Sequence, residues 1–266
     1  MPTRSNTVID AADTPAASVG AVEIEHVSLS INGVSILSGI DLSVPQGHIV
    51  GLIGPNGAGK TSLMNVISGQ RRVTEGVVRL YGNDVTRWPS HRRARLGLGR
   101  SFQTSSLFSG LTVYENTRLA VQAKRPGVYA AFRAVPRGPS SAEARRALEM
   151  VGLDDRADQL ASSISHGDRR KLELAMIVAG GSRTLLLDEP MAGVGSGDVH
   201  GLVDLIRQIH QETSATILLV EHHLHVVLGL ADRVAVLHHG ALLAYDKPES
   251  VIADEVVQRA YIGDPL

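Results

Sequence analysis

Apolar and polar positions change period along the chain, and the changes mark its elements. From Val22 to Ser30 they alternate, Asn32-Gly33 supplies a two-residue hairpin signal, and alternation returns over Ile40 to Val44. A period of two broken by turn residues predicts antiparallel strands. His48 to Ile53 is a short apolar strand, followed by a Gly-rich turn and a helical stretch from about Gly59 to Ser68, with Gly69 placed as its C-terminal cap. A further β segment runs between Gly76 and Gly82. From about Ser90 to Ser165 strand character is lost, and a helical period over Ala142 to Val151 ends at Gly152, which predicts a helical subdomain. Within it, Lys124 to Ser140 is rich in Pro, Gly and Arg and reads as a loop insertion with a short helix.

The last third alternates a helix at Arg169 to Ala179, a strand at Thr184 to Leu187, a helix at Val199 to Thr213 and a strand at Thr216 to Val220. Both strands are continuously apolar, as strands covered on both faces are, so this order predicts an α/β domain built on a parallel sheet.

Composition narrows the chemistry. The chain has 266 residues, 43% of them hydrophobic, enough for a large core in one domain or a domain with a subdomain. A formal net charge of -1 gives no overall basic field for nucleic acid or anionic lipid. With no cysteine, thiolate metal sites, disulfides and cysteine nucleophiles are excluded. Met1 to Gly20 lacks the apolar block of a secretory signal and reads as a disordered tail. The nearest approach to a membrane span, Leu224 to Leu237, is interrupted by His225, Asp232 and Arg233. It falls short of the about 18 apolar residues a spanning helix needs.

Gly54-Pro55-Asn56-Gly57-Ala58-Gly59-Lys60-Thr61, continued by Ser62, fits the phosphate-loop pattern and stands between a predicted strand and a predicted helix. Glycines there let backbone N–H groups close around phosphate oxygens, Lys60 neutralises the β- and γ-phosphates, and the Thr61 hydroxyl ligates magnesium. Asp188 ends an apolar strand, where ligands of parallel sheets collect, and supplies a second oxygen for the metal; Glu189 follows, placed to orient and deprotonate an attacking water. Taken alone, Asp188-Glu189-Pro190 is an ordinary strand-ending turn, and the phosphate loop upstream is what reverses that reading. Ile164-Ser165-His166-Gly167-Asp168 opens a helix as an N-cap with Ser165 paired to Asp168, and the same N–H groups can serve a γ-phosphate.

The order phosphate loop, Gln103, Ile164-Ser165-His166-Gly167-Asp168, Leu187-Asp188-Glu189-Pro190, Val220-Glu221-His222 resembles the ATP-binding-cassette (ABC) ATPase family over about Val22 to Gly263. The resemblance implies a P-loop NTPase core with a RecA-like parallel sheet, an antiparallel β subdomain and an inserted helical subdomain at about 90–165. Residues 21–266 then form one ABC ATPase domain. Arg100-Ser101-Phe102-Gln103, the insertion after it, Glu189-Pro190-Met191-Ala192-Gly193, Val220-Glu221-His222-His223 and Ala260-Tyr261-Ile262-Gly263 are similar to ATP-binding subunits of branched-chain amino acid importers.

By resemblance, ATP and Mg2+ are bound between two cassettes facing head to tail, with Ser165 and Gly167 of one meeting the γ-phosphate held by the other. Gln103 contacts magnesium and the attacking water, and His222 holds the γ-phosphate side; a helix-capping surface histidine is the other reading of His222. The implied partners are two transmembrane permease subunits and a second cassette, like or unlike this one, at the cytoplasmic face of the inner membrane. A solute-binding protein delivers the cargo, and nucleic acid is not among the partners. Cassettes for lipopolysaccharide export, or for uptake of amides, urea or aromatic acids, are the alternatives; a soluble cassette protein acting on ribosomes or DNA would carry fused cassettes or coiled-coil insertions.

This sequence departs from the family pattern at Ile164, His166 and Asp168 of the signature, at Ile31, where an aromatic residue usually stacks on adenine, and at Gly195, where an Asp is frequent. Phe102 and Phe108 flank Gln103, with Leu107 beside them, either as a small core cluster or as the wall of a groove for a permease helix. His91-Arg92-Arg93-Ala94-Arg95 reads as a solvated helix face, and the histidines at 222, 223, 225, 238 and 239 as switch and hairpin-turn residues in preference to a zinc site.

Overall fold

In the computed structural model, which describes residues 19–101, 107–124 and 139–262, the predicted hairpin forms between β1 (Val22–Ile31) and β2 (Val34–Val44). Asn32 and Gly33 turn it with φ of 50° and 81°, the positive pair a tight hairpin turn requires. The chain then enters β3 (Ile49–Ile53), α1 (Lys60–Ile67), β4 (Glu75–Leu80) and the short β5 (Asn83–Asp84). β1 pairs antiparallel with β2 and β4, giving the order β2-β1-β4-β5. After α2 (Ser90–Arg95) come β6 (Leu98–Arg100) and the helices α3 (Val113–Ala123), α4 (Pro139–Met150) and α5 (His166–Ala179). β7 (Thr184–Asp188), α6 (Ser196–Thr213), β8 (Thr216–Val220), α7 (Leu224–Leu230), β9 (Arg233–His238), β10 (Ala241–Asp246), α8 (Pro248–Ala253) and α9 (Glu255–Ile262) complete it.

The second sheet has the order β10-β9-β3-β8-β7-β6 and is parallel except where β10 returns beside β9. Every residue of β3, β7 and β8 is buried, which explains their unbroken apolar runs. Successive side chains still face opposite ways. Leu186, Leu218 and Val220 join the core shared with α1 and the antiparallel sheet. Leu185, Leu187, Ile217 and Leu219 join the core under α3 to α6. Gly51 allows α7 to press on β3: a Cβ there would stand 2.2 Å from Val227 Cγ1.

Three expectations are corrected. The strand-poor stretch after Ser90 contains β6, an edge strand of the parallel sheet too short to show any period. α5 begins at His166, earlier than Arg169, because Ser165 caps it and the signature residues form its first turn. Arg93 does not belong to a solvated face. It is 2% exposed and donates to the carbonyl oxygens of Val66 (2.7 Å), Ile67 (2.8 Å), Trp88 (3.1 Å) and Thr86 (3.2 Å), closing the C-terminal end of α1. Burial pushes its guanidinium down to about 10, so it remains a cation at neutral pH. Its neighbours His91, Arg92 and Arg95 are exposed, as expected. The tail at 1–20 (its last two residues apart), Phe102, Gln103, most of the 124–140 insertion and Gly263 lie outside the described residues.

Candidate active site

The loop from Gly54 to Gly59 joins β3 to α1 as the phosphate-loop pattern requires. Gly54, Gly57 and Gly59 have φ of 151°, 82° and 103°. A Cβ on Gly54 would lie 2.1 Å from the Leu237 carbonyl oxygen, so only glycine fits between the loop and β9. Gly59 caps α1 without any side-chain hydrogen bond, which leaves the first-turn N–H groups for an anion. Pro55 is half-buried, Asn56 and Gly57 are exposed, and Ala58 is buried against the core beneath. Thr61 is exposed and Ser62 half-buried on the first turn. The Lys60 ammonium, 6% exposed, donates to the carbonyl oxygens of Gly54 (2.7 Å) and Pro55 (3.0 Å). Burial lowers its pKa while the carboxylates of Glu189 and Asp188 act the other way, so the three groups share one electrostatic site.

Asp188, 1% exposed, ends β7. Its Oδ2 accepts from Arg100 Nη2 at 3.2 Å, and its N–H donates to Ser101 Oγ at 3.2 Å. Burial pushes the carboxyl above its ordinary value and the Arg100 guanidinium opposes this. Oδ1 is buried with no hydrogen-bond partner among the described residues. Such an oxygen fits a hard cation such as Mg2+, with the Thr61 hydroxyl as a further oxygen donor on α1. Glu189 holds a left-handed φ of 50°, a conformation that costs a non-glycine residue about 1–3 kcal/mol. Strain of this kind collects at functional sites, and here it turns the carboxylate to His222, whose Nε2 lies 2.7 Å from Glu189 Oε1. A carboxylate paired with an imidazole is oriented to take a proton from water.

Two residues that the sequence pattern did not single out complete the site. Arg100 holds Asn65 Oδ1, Ser68 Oγ and Gln70 Oε1 as well as Asp188, joining the end of α1 to the end of β7. Glu221, 2% exposed after β8, accepts the N–H groups of Met191 and His222. The one signal available for Glu221 was an acid directly following an unbroken apolar strand.

At the start of α5, Ser165 Oγ accepts from the Asp168 N–H (3.1 Å) and donates to Asp168 Oδ2 (2.7 Å), and Asp168 also pairs with Arg156. Ser165 and His166 are exposed, Gly167 half-buried and Ile164 buried. No described hydrogen bond joins Ser165 or Gly167 to the phosphate loop. The exposed signature is open to a surface from outside the chain.

The sequence pattern of the family described as "ABC transporter" matches residues 37–192. The chain belongs to the ABC transporter family. It is an ATP-hydrolysing cassette. It is similar to the high-affinity branched-chain amino acid transport ATP-binding protein LivG of Salmonella typhimurium, 34% identical over 247 residues covering 91% of this chain and 97% of the relative. It is similar also to BraF, a protein of the same description from Pseudomonas aeruginosa, 33% identical over 250 residues covering 91% and 98%. A nucleotide-free ATP-binding cassette from an ABC transporter superposes with a TM-score of 0.80 at 26% identity, covering 92% of this chain and 99% of that one. A cassette in its ADP conformation gives the same TM-score at 27% identity.

Among the cassette's remaining predicted positions, Ile31 ends β1 and is half-buried against the core under the antiparallel sheet, and Gly195 is an exposed N-cap of α6. Phe108 is 55% exposed, which rules out the core-cluster reading for it. Its backbone is clamped by the buried Asn116, which accepts its N–H at 2.9 Å and donates to its carbonyl oxygen at 3.1 Å, while Leu107 packs on the helical core. No helix among the described residues is long and apolar enough to cross a membrane.

Proposed function

We propose that this cassette energises uptake of branched-chain or other amino acids from the cytoplasmic face of the inner membrane. It pairs with a second cassette on two permease subunits that a solute-binding protein supplies. The hydrolytic part of the reading is carried by the 2.7 Å contact between Glu189 and His222 beside Lys60. The cargo class is carried by the near full-length similarity to LivG and BraF.

In this mechanism the phosphate-loop N–H groups and Lys60 hold the β- and γ-phosphates, and Thr61, Asp188 and Gln103 hold Mg2+. When bound, the ion offsets phosphate charge. Glu189 orients water and accepts its proton, and His222 fixes the Glu189 carboxylate and contacts the γ-phosphate side. Ser165 and Gly167 of the second cassette close the site, since a helix N-terminus is suited to a phosphate. Residues 21–266 act as one unit, and the exposed Phe108 in the helical insertion at about 90–165 forms part of a groove wall for a permease helix.

The test is capture of the tagged Glu189→Gln chain with ATP from detergent-solubilised membranes of its native host. Two multispanning subunits and a second cassette are expected. Recovery alone, or with ribosomes, overturns the transport reading and leaves the ATPase.

A further inference from the structure

We infer that Glu221 is a positioning residue for hydrolysis, holding Glu189 and His222 against each other by binding the backbone on both sides of the pair. β7 and β8 run in register with Asp188 opposite Val220, so the loops that follow them leave the sheet side by side. The first loop carries Glu189 and the second carries His222. Glu221 Oε1 accepts the Met191 N–H at 2.8 Å, and Oε2 accepts the His222 N–H at 3.2 Å and lies 3.2 Å from His223 Nδ1.

The Glu189 loop needs such an anchor. Glu189 has φ of 50°, its N–H donates to Val220 O at 2.9 Å, and its carbonyl oxygen accepts the Ala192 N–H at 3.0 Å. The bond from Val220 fixes the loop before the strained residue, and the bond to Glu221 fixes it after. A non-glycine residue stays in this conformation only where its surroundings over-determine it. The loop goes on to Gly193, where a Cβ would lie 3.1 Å from His166 Cε1, so displacement of Met191 reaches the signature as well. A carboxylate buried at 2% exposure is costly unless its oxygens are satisfied, and these oxygens are satisfied by the two segments that carry the hydrolytic pair.

The inference rests on Glu189 and His222 acting as proposed above. The test compares Glu221→Ala, Glu221→Gln and Glu221→Asp in the purified full chain, with kcat, KM, binding of a fluorescent ATP analogue and melting temperature measured for each. Loosening the pair lowers kcat by about 10- to 100-fold in Glu221→Ala, because small misplacements of reacting groups cost that much. ATP binding stays within about twofold, since the phosphate loop is untouched. Glu221→Gln keeps an acceptor for the Met191 N–H but sets an NH2 donor against the His222 N–H, so it recovers part of kcat, whereas Glu221→Asp keeps the charge, withdraws the acceptor from Met191 and recovers less. In a Glu189→Gln background, adding Glu221→Ala costs nothing further, as expected when one residue acts through the other.

Turnover of Glu221→Ala at the wild-type rate, parallel loss of ATP binding and kcat, or Glu221→Asp outperforming Glu221→Gln each overturns the inference. If Glu221→Ala does not fold, the order of the Gln and Asp variants decides. Wild-type turnover in Glu189→Gln defeats the reading of Glu189 itself; an inactive Glu189→Gln beside an active Glu221→Ala defeats this inference alone.

Discussion

The phosphate loop meets the end of β7 at Lys60, and the loop after β8 joins them through Glu189, yet the two halves of the site are assembled in opposite ways. The first is made of backbone: consecutive residues from Gly54 to Lys60, glycines at positive φ, and a helix whose cap leaves N–H groups unclaimed. The second is made of side chains brought together from distant positions, with Glu189 on His222, Asp188 on Arg100, and Glu221 on the Met191 backbone. A backbone cradle binds whatever phosphate fits it, and depends on where glycine is allowed. A side-chain pair does proton chemistry, and depends on how two loops are held. Binding and turnover are therefore separable by mutation.

The largest effect is expected at the cradle. Gly54→Ala places a Cβ 2.1 Å from the Leu237 carbonyl oxygen at a φ of 151°. The loop must move, which costs about 3 kcal/mol or more of stability and abolishes ATP binding. Thermal melting and nucleotide titration check both; a variant that melts and binds normally removes the close approach as the reason for glycine. Next is the buttress behind the cradle. Arg93→Ala leaves the Ile67 carbonyl oxygen buried without its donor and Val66 O with the Gly69 N–H alone, and lowers stability by about 1–3 kcal/mol, read as a lower denaturant midpoint. ATP affinity of the fraction that remains folded should be near normal. The smallest effect on ATP chemistry lies outside both regions: Phe108→Asp should leave binding and turnover of the isolated cassette unchanged while abolishing uptake in cells. Retained uptake sinks the groove reading of Phe108.

The same contrast decides what could be read from the chain. The phosphate loop is contiguous, so its residues declare themselves in order, and β7 and β8 declare themselves by apolar runs that only doubly covered strands tolerate. The contact of Glu189 with His222 comes from the structure alone, because nothing local links residues so far apart; resemblance implied only that His222 faces the γ-phosphate. β6 leaves no mark in the sequence because its three residues are placed by hydrogen bonds to β7 and by no pattern of their own. Arg93 is not legible as a buried residue because a basic run on a short helix looks solvated until α1 ends against it. Arg100 and Glu221 stand inside the motifs that carry the resemblance, but their roles are not legible there, because their partners, Asp188 and Met191, are supplied by the sheet.

The division of labour between cradle and pair is tested most directly by measuring ATP affinity and turnover side by side in purified Glu189→Gln. The substitution keeps the size of the side chain and removes the proton acceptor. ATP should bind at least as tightly as in the unmodified chain while kcat falls about 1000-fold, within the range a positioned general base contributes. Turnover at the unmodified rate, or loss of binding along with turnover, would contradict it.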